Sequence, residues 1–285
     1  MSVEEERGDP ASRDRQPAEA GLQVSRLSTG YRRRQICHDI TLPHFFPGEV
    51  HSLVGPNAAG KSTLMRALAG LQRASGSVRV AGRELVGQSL DQWAQRVTYM
   101  PQSLPQSVAL NVLESVIGAL RASPSDRLAL LGRRALERRA VEVLERVGIV
   151  ELALESLQHL SGGQRQLVSL AQVLSREPRV LLLDEPTSAL DLRYQLKVMR
   201  LVRAQARACN MVVLMVVHDL AIAARWSDGI VMLSRGEVIA QGPPREAITP
   251  ATLASVYGVR ARVDHGAQGD LQLRIDDVLD EGETR

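Results

Sequence analysis

The stretch Leu53–Leu64, LVGPNAAGKSTL, decides the fold, because it joins a short apolar strand to a helix through a glycine-rich loop. Residues 55–62 fit the pattern G-x-x-x-x-G-K-[ST] in the strand–loop–helix context that the pattern requires. Glycines let the backbone curl so that successive N–H groups face phosphate oxygens, and the helix N-terminus adds positive potential. The sequence therefore predicts a cradle for a nucleoside triphosphate, formed by Gly55, Pro56, Asn57, Ala58, Ala59, Gly60, Lys61, Ser62 and Thr63.

Two side chains of this loop carry chemistry beyond that of the backbone. Lys61 is one of only two lysines among 35 lysines and arginines, which suggests that an arginine would not serve at this position. A lysine ammonium is a compact charge that fits between two phosphates, whereas a planar guanidinium is too bulky. We expect the hydroxyl of Ser62 to bind Mg²⁺. The alternative is a helix N-terminus that matches the pattern by chance.

The composition is that of an ordinary globular protein. The 285 residues are 44% hydrophobic and 24% charged, enough for one sizeable core with subdomains or for two small domains. A net charge of +3 is small beside 35 basic and 32 acidic groups, so no nucleic-acid partner is predicted. The longest apolar run, Met211–Val217, is far shorter than the roughly 20 residues that span a bilayer, which predicts a soluble chain. Cys37 and Cys209 form no CxxC pair and fit free thiols in a reducing cytoplasm.

The order of patterns along the chain predicts an α/β protein. Residues 1–20 are charged with almost nothing to bury and are predicted to be a disordered tail, and residues 265–285 read as a polar acidic tail. Between them, GSVRVAGREL and GIVMLSRGEVIAQG predict hairpins, and a helical pattern runs through about residues 103–177. The runs VLLLD and MVVLMVVHD are continuously apolar, which is typical of parallel strands covered on both faces.

Both continuous runs end in polar side chains, at the edge where open α/β sheets bind their ligands. Asp184 and Glu185 follow one run, and His218 follows the other. An unpaired carboxylate at Asp184 would be costly, so a metal ion or its bound water is the expected partner. The alternative is that the two adjacent carboxylates are both structural.

Three further motifs, in this order, resemble those of ATP-binding cassette (ABC) ATPases: LSGGQRQ at Leu160–Gln166, VLLLDEPTSALD at Val180–Asp191, and VVHD at Val216–Asp219. The resemblance covers about residues 22–263. It implies a P-loop NTPase (RecA-like) core with an antiparallel β subdomain and an α-helical signature subdomain, within one ABC ATPase domain of residues 21–264. ATP and Mg²⁺ are the implied cofactors.

The resemblance also implies roles for single residues. Asp184 would hold the metal or its bound water, Glu185 would polarise the hydrolytic water, and His218 would contact the γ-phosphate. Gln102 in YMPQ would reach Mg²⁺ and the attacking water. Tyr31, 30 residues before Lys61, would stack on adenine, with a strand-edge tyrosine as the alternative.

The signature segment offers a second anion site at the start of a helix, with the hydroxyl and N–H groups of Ser161, Gly162, Gly163 and Gln164. In the family, this segment of one copy closes over the ATP held by another copy. Because the chain contains one cassette, the resemblance implies a homodimer that tightens with ATP. Asp191 would lie at that interface and relay between the two sites.

One residue departs from the common family pattern, since Ala58 stands where the family often has glycine. A methyl group disfavours positive φ. We therefore expect a right-handed or extended backbone at Ala58. The loop GPNAAGKS resembles a variant found in cassette ATPases for metal-chelate uptake.

The resemblance favours the energy-coupling subunit of a membrane importer. Such a subunit would lie on the cytoplasmic face of the bacterial inner membrane and dock on two permease subunits through the surface beside Gln102 and the helical section. A periplasmic or extracellular substrate-binding protein would be an indirect partner. The alanine variant and the ending LASVYGVRARV resemble the branch for ferric siderophores, haem or vitamin B12.

Several alternatives stay open at this point. The chain could serve another substrate or an exporter. It could also be a soluble cassette ATPase acting on DNA or ribosomes, although such proteins usually carry two cassettes or coiled-coil insertions. A nucleotide-gated module without turnover is disfavoured because Glu185, Gln102 and His218 are all present.

Overall fold

The computed structural model describes six stretches of the chain, residues 20–31, 34–102, 110–123, 131–188, 190–266 and 271–279. Most of the predicted N-terminal tail, and the linkers at residues 103–109 and 124–130 in the helical section, lie outside these stretches. Within them, every helix is too short or too polar to cross a bilayer.

Both continuously apolar runs form strands of a central six-stranded sheet. Its strands lie in the order β10-β9-β3-β8-β7-β6, and all neighbours are parallel except β10, which pairs antiparallel with β9. The predicted parallel strands and the hairpin at residues 229–242 are confirmed. The strands of this sheet are β3 (Val50–Val54), β6 (Val97–Met100), β7 (Val180–Asp184), β8 (Val212–Val216), β9 (Gly229–Ser234) and β10 (Glu237–Gly242).

A second, antiparallel sheet precedes and follows the glycine-rich loop in the chain. It has the order β2-β1-β4-β5, and its β4–β5 pair is the predicted hairpin GSVRVAGREL. This sheet packs on the face of the central sheet that also carries the first helix. Its strands are β1 (Leu22–Tyr31), β2 (Arg34–Ile40), β4 (Ala74–Val80) and β5 (Arg83–Glu84).

The helices begin and end where the sequence supplies caps. For example, the Asn111 side chain accepts from the backbone of Glu114 at the start of α3, and Gly148, with φ 75°, ends α4 in the left-handed conformation. Helices α3, α4 and α5 pack on one another. The helices are α1 (Lys61–Leu68), α2 (Leu90–Ala94), α3 (Val112–Arg121), α4 (Arg133–Val147), α5 (Gly162–Ser175), α6 (Leu192–Ala208), α7 (Leu220–Trp226), α8 (Pro244–Ala247) and α9 (Pro250–Tyr257).

Two apolar cores lie on opposite faces of the central sheet. Leu181 and Leu183 of β7 point into one core with helices α3–α7, while Val180 and Leu182 point into the other with α1 and the antiparallel sheet. Because successive strand residues face opposite sides, a strand between two cores needs an apolar residue at every position. This burial explains the run VLLLD and fixes the place where Asp184 emerges.

The C-terminal region differs from the expectation of a polar tail after residue 264. Strands β11 (Val259–His265) and β12 (Leu271–Val278) form an antiparallel hairpin of their own. Leu271 and Leu273, alternate residues of β12, pack against the larger core, whereas Gln272 and Arg274 are exposed. The alternation of apolar residues in LQLRI explains the strand within an otherwise acidic segment.

Candidate nucleotide-binding and hydrolysis site

The glycine-rich loop leaves the central strand β3 and runs into α1 around a cavity of about 330 Å³. Its backbone needs glycine where it turns most sharply, since a Cβ on Gly55 would lie 2.0 Å from the carbonyl oxygen of Leu233. Gly60 also has positive φ, at 104°. The cavity is lined by residues 57–63 together with Arg34, Ile36 and Glu185. The predicted phosphate cradle is therefore a formed, concave loop.

Lys61 is held inside this loop by the loop's own carbonyls. The residue is only 7% exposed, and its Nζ donates to the oxygens of Gly55 (2.7 Å) and Pro56 (2.8 Å). Burial lowers the pKa of Lys61, while Glu185 and Asp184 act in the opposite direction. An ammonium has three donors, so one remains available for a phosphate oxygen.

The expectation for the backbone of Ala58 is wrong. Ala58 has φ 61°, in the left-handed region. Ala59 donates its N–H to the oxygen of Pro56 at 3.3 Å, so Ala58 is the third residue of a turn, where a positive φ usually calls for glycine or asparagine. The N–H of Gly236 then binds the oxygen of Ala59 at 2.9 Å and anchors the turn. These contacts override the local preference of alanine.

We expect Ala58→Gly to stabilise the nucleotide-free protein. Left-handed backbone costs a non-glycine residue about 1–2 kcal/mol, part of which is offset by the extra freedom of glycine in the unfolded chain. A gain of about 1 kcal/mol would raise the melting temperature by roughly 2–4 °C in a thermal unfolding scan. Ala59→Gly is the matched control, because Ala59 is buried and its φ is not positive, so this substitution should destabilise. A lower melting temperature for Ala58→Gly would contradict the role assigned to this turn.

The predicted metal ligands Ser62 and Asp184 lie together at the edge of the sheet. Asp184 is 1% exposed, and its Oδ1 accepts from the hydroxyl of Ser62 at 3.2 Å. Its other oxygen, Oδ2, accepts from the hydroxyl of Tyr99 at 2.9 Å. Burial and the neighbouring carboxylate of Asp184 raise the pKa of Tyr99 to about 12, so its hydroxyl remains a donor.

These donors fit magnesium. Mg²⁺ binds oxygen ligands and is usually held by one or two carboxylates together with substrate phosphates and water. Within the described residues, no group of three or more His, Cys, Asp or Glu side chains could hold a metal ion by itself. A hydroxyl and a buried carboxylate beside a phosphate loop match a metal that arrives with its nucleotide.

The three predicted catalytic side chains meet at Glu185, directly after β7. Gln102 donates from Nε2 to Oε2 of Glu185 at 2.6 Å, and Nε2 of His218 lies 2.5 Å from Oε1. Glu185 also lines the nucleotide cavity. Its backbone lies in the left-handed region with φ 54°, a conformation that is uncommon for glutamate and clusters at functional sites. The arrangement can orient a water molecule against a nucleotide held by the loop.

Tyr31 is not brought to this cavity. It is 43% exposed, and its hydroxyl accepts a hydrogen bond from Nη1 of Arg66 in α1 at 3.1 Å. The β1–β2 hairpin instead contributes Arg34 and Ile36 to the cavity wall. Stacking of Tyr31 on adenine stays a prediction.

The signature residues also lie outside the cavity of their own chain. Ser161 caps α5: its hydroxyl accepts from the N–H of Gln164 at 3.2 Å, and the Gln164 side chain accepts from the N–H of Ser161 at 2.8 Å. Gly162 is exposed beside them. Asp191 caps α6 in the same way, accepting from the N–H of Tyr194 at 2.9 Å. Both segments present their ends to solvent.

Besides Arg34 and Ile36 in the cavity wall, two further residues of the site, Tyr99 and Gln166, were not predicted from the sequence. Tyr99 lies three positions before Gln102 in the same motif, and its partner Asp184 is the predicted metal ligand. Gln166 closes the signature motif, is buried, and donates from Nε2 to the backbone oxygen of Glu185 at 3.3 Å. Gln166 thereby links the signature helix to the backbone of Glu185. A polar residue on a buried helix face was the available signal.

Known proteins resemble this chain in sequence. A sequence model described as "ABC transporter" matches residues 38–188. The hemin import ATP-binding protein HmuV of Bordetella pertussis is 38% identical over 85% of this chain and 94% of its own length. The protein of the same name from Streptomyces coelicolor is 44% identical over 74% of each chain.

Solved structures agree with the fold. A metal-chelate type ABC transporter in an inward-facing conformation superposes with a TM-score of 0.75 at 24% identity, covering 92% of this chain and 99% of its own. CbiO1 of the cbiONQ transporter from Clostridium perfringens gives 0.69 at 27% identity, covering 79% of this chain and 89% of its own. From the matched family region, the identities and the fold, the chain belongs to the ABC transporter family, as an ATP-hydrolysing subunit.

Proposed function

We propose that the chain is the energy-coupling ATPase subunit of an importer for iron chelates, with haem as its cargo. The meeting of Glu185, Gln102 and His218 beside the Lys61 loop carries the ATPase part of this proposal. Relatives named for hemin import at up to 44% identity support the cargo. Siderophores and vitamin B12, which the sequence also favoured, are the alternative cargoes that the growth test below distinguishes from haem.

The proposed chemistry is hydrolysis of ATP by positioning and charge neutralisation, which contribute most to the catalysis of phosphoryl transfer. The loop N–H groups and Lys61 hold the phosphates, and Ser62, Asp184 and Gln102 would hold Mg²⁺. That ion, when bound, would neutralise charge on the phosphate oxygens. Glu185 orients the attacking water, and His218 would contact the γ-phosphate from the far side of the same carboxylate.

The active unit that we propose is a homodimer with two shared sites. Ser161, Gly162, Gly163 and Gln164 would close over the nucleotide of the partner copy. The exposure of this segment in the single chain supports that arrangement. Near Asp191, Leu192 is 67% exposed and Tyr194 is 40% exposed, as expected for a surface that a second copy covers.

We expect Ser161→Arg to block hydrolysis while each monomer still binds ATP. The long cationic side chain would stand where a partner's nucleotide must enter, and it would remove the hydroxyl. Phosphate release should fall at least about tenfold, as for one lost charge-assisted contact, with binding of a fluorescent ATP analogue unchanged. Ser75→Arg, at an exposed position of β4, is the control and should keep its activity. Full ATPase activity in Ser161→Arg would contradict the proposal of a site shared between two copies.

The membrane partners are part of the same proposal. Two permease subunits would dock beside Gln102 and the helical section, where closure of the dimer can move them. Exposed Leu110 and Leu154 on that section support an apolar contact. The subunit would then lie on the cytoplasmic face of the bacterial inner membrane, with a substrate-binding protein acting across it.

Growth of the source bacterium tests the cargo. A strain without this gene should lose growth on haem as sole iron source and keep growth on inorganic iron. The wild-type gene should restore growth on haem, and Glu185→Gln should not. Normal growth on haem with a growth defect on a ferric siderophore or on vitamin B12 would overturn the haem assignment. The proposed importer function would still stand. No defect on any of these would count against uptake of iron chelates as a whole.

A further inference from the structure

We propose that Tyr99 is a positioning residue that fixes the metal-facing carboxylate of Asp184. Asp184 ends a strand buried between two cores and is itself 1% exposed. Each of its oxygens accepts one hydroxyl: Oδ1 from Ser62 at 3.2 Å and Oδ2 from Tyr99 at 2.9 Å. The proposal rests on the nucleotide site described above.

The two hydroxyls have different fates when nucleotide and metal bind. Ser62 is itself an expected Mg²⁺ ligand, so its oxygen would bind the ion, and its bond to Asp184 would no longer be a fixed restraint. Tyr99 does not line the phosphate cavity and keeps its bond. Rotation of a carboxylate about its last torsion is otherwise soft, because such torsions have broad minima. Tyr99 is therefore the group that sets which way the Asp184 carboxylate faces.

Tyr99 is well placed to hold an orientation. Its ring packs against the core formed by α1 and the antiparallel sheet, so the ring is fixed before the hydroxyl acts. The Arg66 guanidinium lies near the same hydroxyl and interacts with it, and it donates to the hydroxyl of Tyr31 at 3.1 Å. A chain of polar contacts thus runs from Tyr31 through Arg66 and Tyr99 to Asp184. Partners that orient a metal ligand commonly contribute about 10–100-fold to metal affinity or activity.

The test measures how much Mg²⁺ improves nucleotide binding in Tyr99→Phe. Affinity for a fluorescent, non-hydrolysable ATP analogue is measured in excess Mg²⁺ and in EDTA, and the ratio of the two affinities is compared with that of the wild type. Phenylalanine keeps the ring packing and removes only the donor. We expect the ratio to fall about tenfold, with the affinity in EDTA unchanged. In turnover, the Mg²⁺ concentration for half-maximal rate should rise by a similar factor.

Thr98→Val is the matched control. It removes a hydroxyl from the next position of β6, a buried one on the opposite face of the strand, and should leave the ratio unchanged. An unchanged ratio in Tyr99→Phe would overturn the proposal, and so would an equal loss in Mg²⁺ and in EDTA, which indicates a merely structural role. If Mg²⁺ did not raise the nucleotide affinity of the wild-type protein, that result would instead contradict the proposed metal site.

Arg66→Met provides a second route if Tyr99→Phe does not fold. It leaves the tyrosine in place and frees its hydroxyl from the guanidinium. We expect a loss of about threefold in the same ratio, the size of one modest hydrogen bond. An unchanged ratio in a folded Arg66→Met protein would contradict a chain that acts through Tyr99.

Discussion

Glu185→Gln should bind ATP as the wild type does and lose hydrolysis by at least about 100-fold. The amide has the size of the carboxylate and can still hydrogen-bond to Gln102 and His218, which now lie 2.6 and 2.5 Å from its oxygens. It lacks the negative charge that, in our proposal, polarises the attacking water. With ATP bound and not consumed, the homodimer should accumulate. Light scattering in ATP should give twice the mass found without nucleotide, and a phosphate-release assay should report the lost turnover.

Glu237→Gln is a suitable control for the loss of one negative charge, because Glu237 is exposed at the start of β10. It should hydrolyse ATP normally and show no trapped dimer. Normal turnover in Glu185→Gln would remove Glu185 from the catalytic assignment. A protein that is inactive and stays monomeric in ATP would contradict the shared site while sparing the catalytic assignment.

Lys61→Ala should weaken nucleotide binding by about 10–100-fold, since a hydrogen bond to a charged group contributes roughly 1.5–3 kcal/mol. The ammonium is buried and already directed by two backbone carbonyls, so its charge acts on a phosphate with little screening. Titration with a fluorescent ATP analogue measures the loss. The effect should be larger for a triphosphate than for a nucleoside, which lacks the group that Lys61 contacts.

The chain supplies its own control in Lys197, the second lysine. Its ammonium lies 5.1 Å from the ring centre of Tyr194 on α6, away from the loop. Lys197→Ala removes the same charge and should leave ATP affinity within about twofold, as for surface changes away from a site. Unchanged affinity in Lys61→Ala would count against the phosphate cradle.

Most of the fold could be predicted because burial imposes patterns that the sequence must satisfy. The run VLLLD predicted a strand covered on both faces, and Leu181 and Leu182 do point into different cores. The C-terminal hairpin was missed because its apolar residues alternate with acidic and basic ones. The polar composition predicted a tail, whereas the apolar residues at every second position of LQLRI indicate a strand.

The site was predictable where chemistry follows from strand ends. Asp184 ends a strand of the parallel sheet and Glu185 follows it, and the loop pattern predicted Ser62, whereas Gln102 was predicted from the resemblance to the family. The prediction for the backbone of Ala58 was wrong because a turn closed by its neighbours Pro56 and Ala59 determines its φ. The contact between Tyr99 and Asp184 depends on the side-chain directions of two neighbouring strands, β6 and β7, which spacing in the sequence does not give.

The capping of Ser161 has a consequence for how two copies can meet and part. The Ser161 hydroxyl accepts from the N–H of Gln164, and the Gln164 side chain accepts from the N–H of Ser161. The exposed helix end is therefore capped within one chain and needs no second copy for its stability. The N–H groups of Gly162 and Gly163 take no part in that exchange, and in the proposed dimer they could donate to an anion. In the proposed dimer, this helix end could therefore dock and separate without first having to fold.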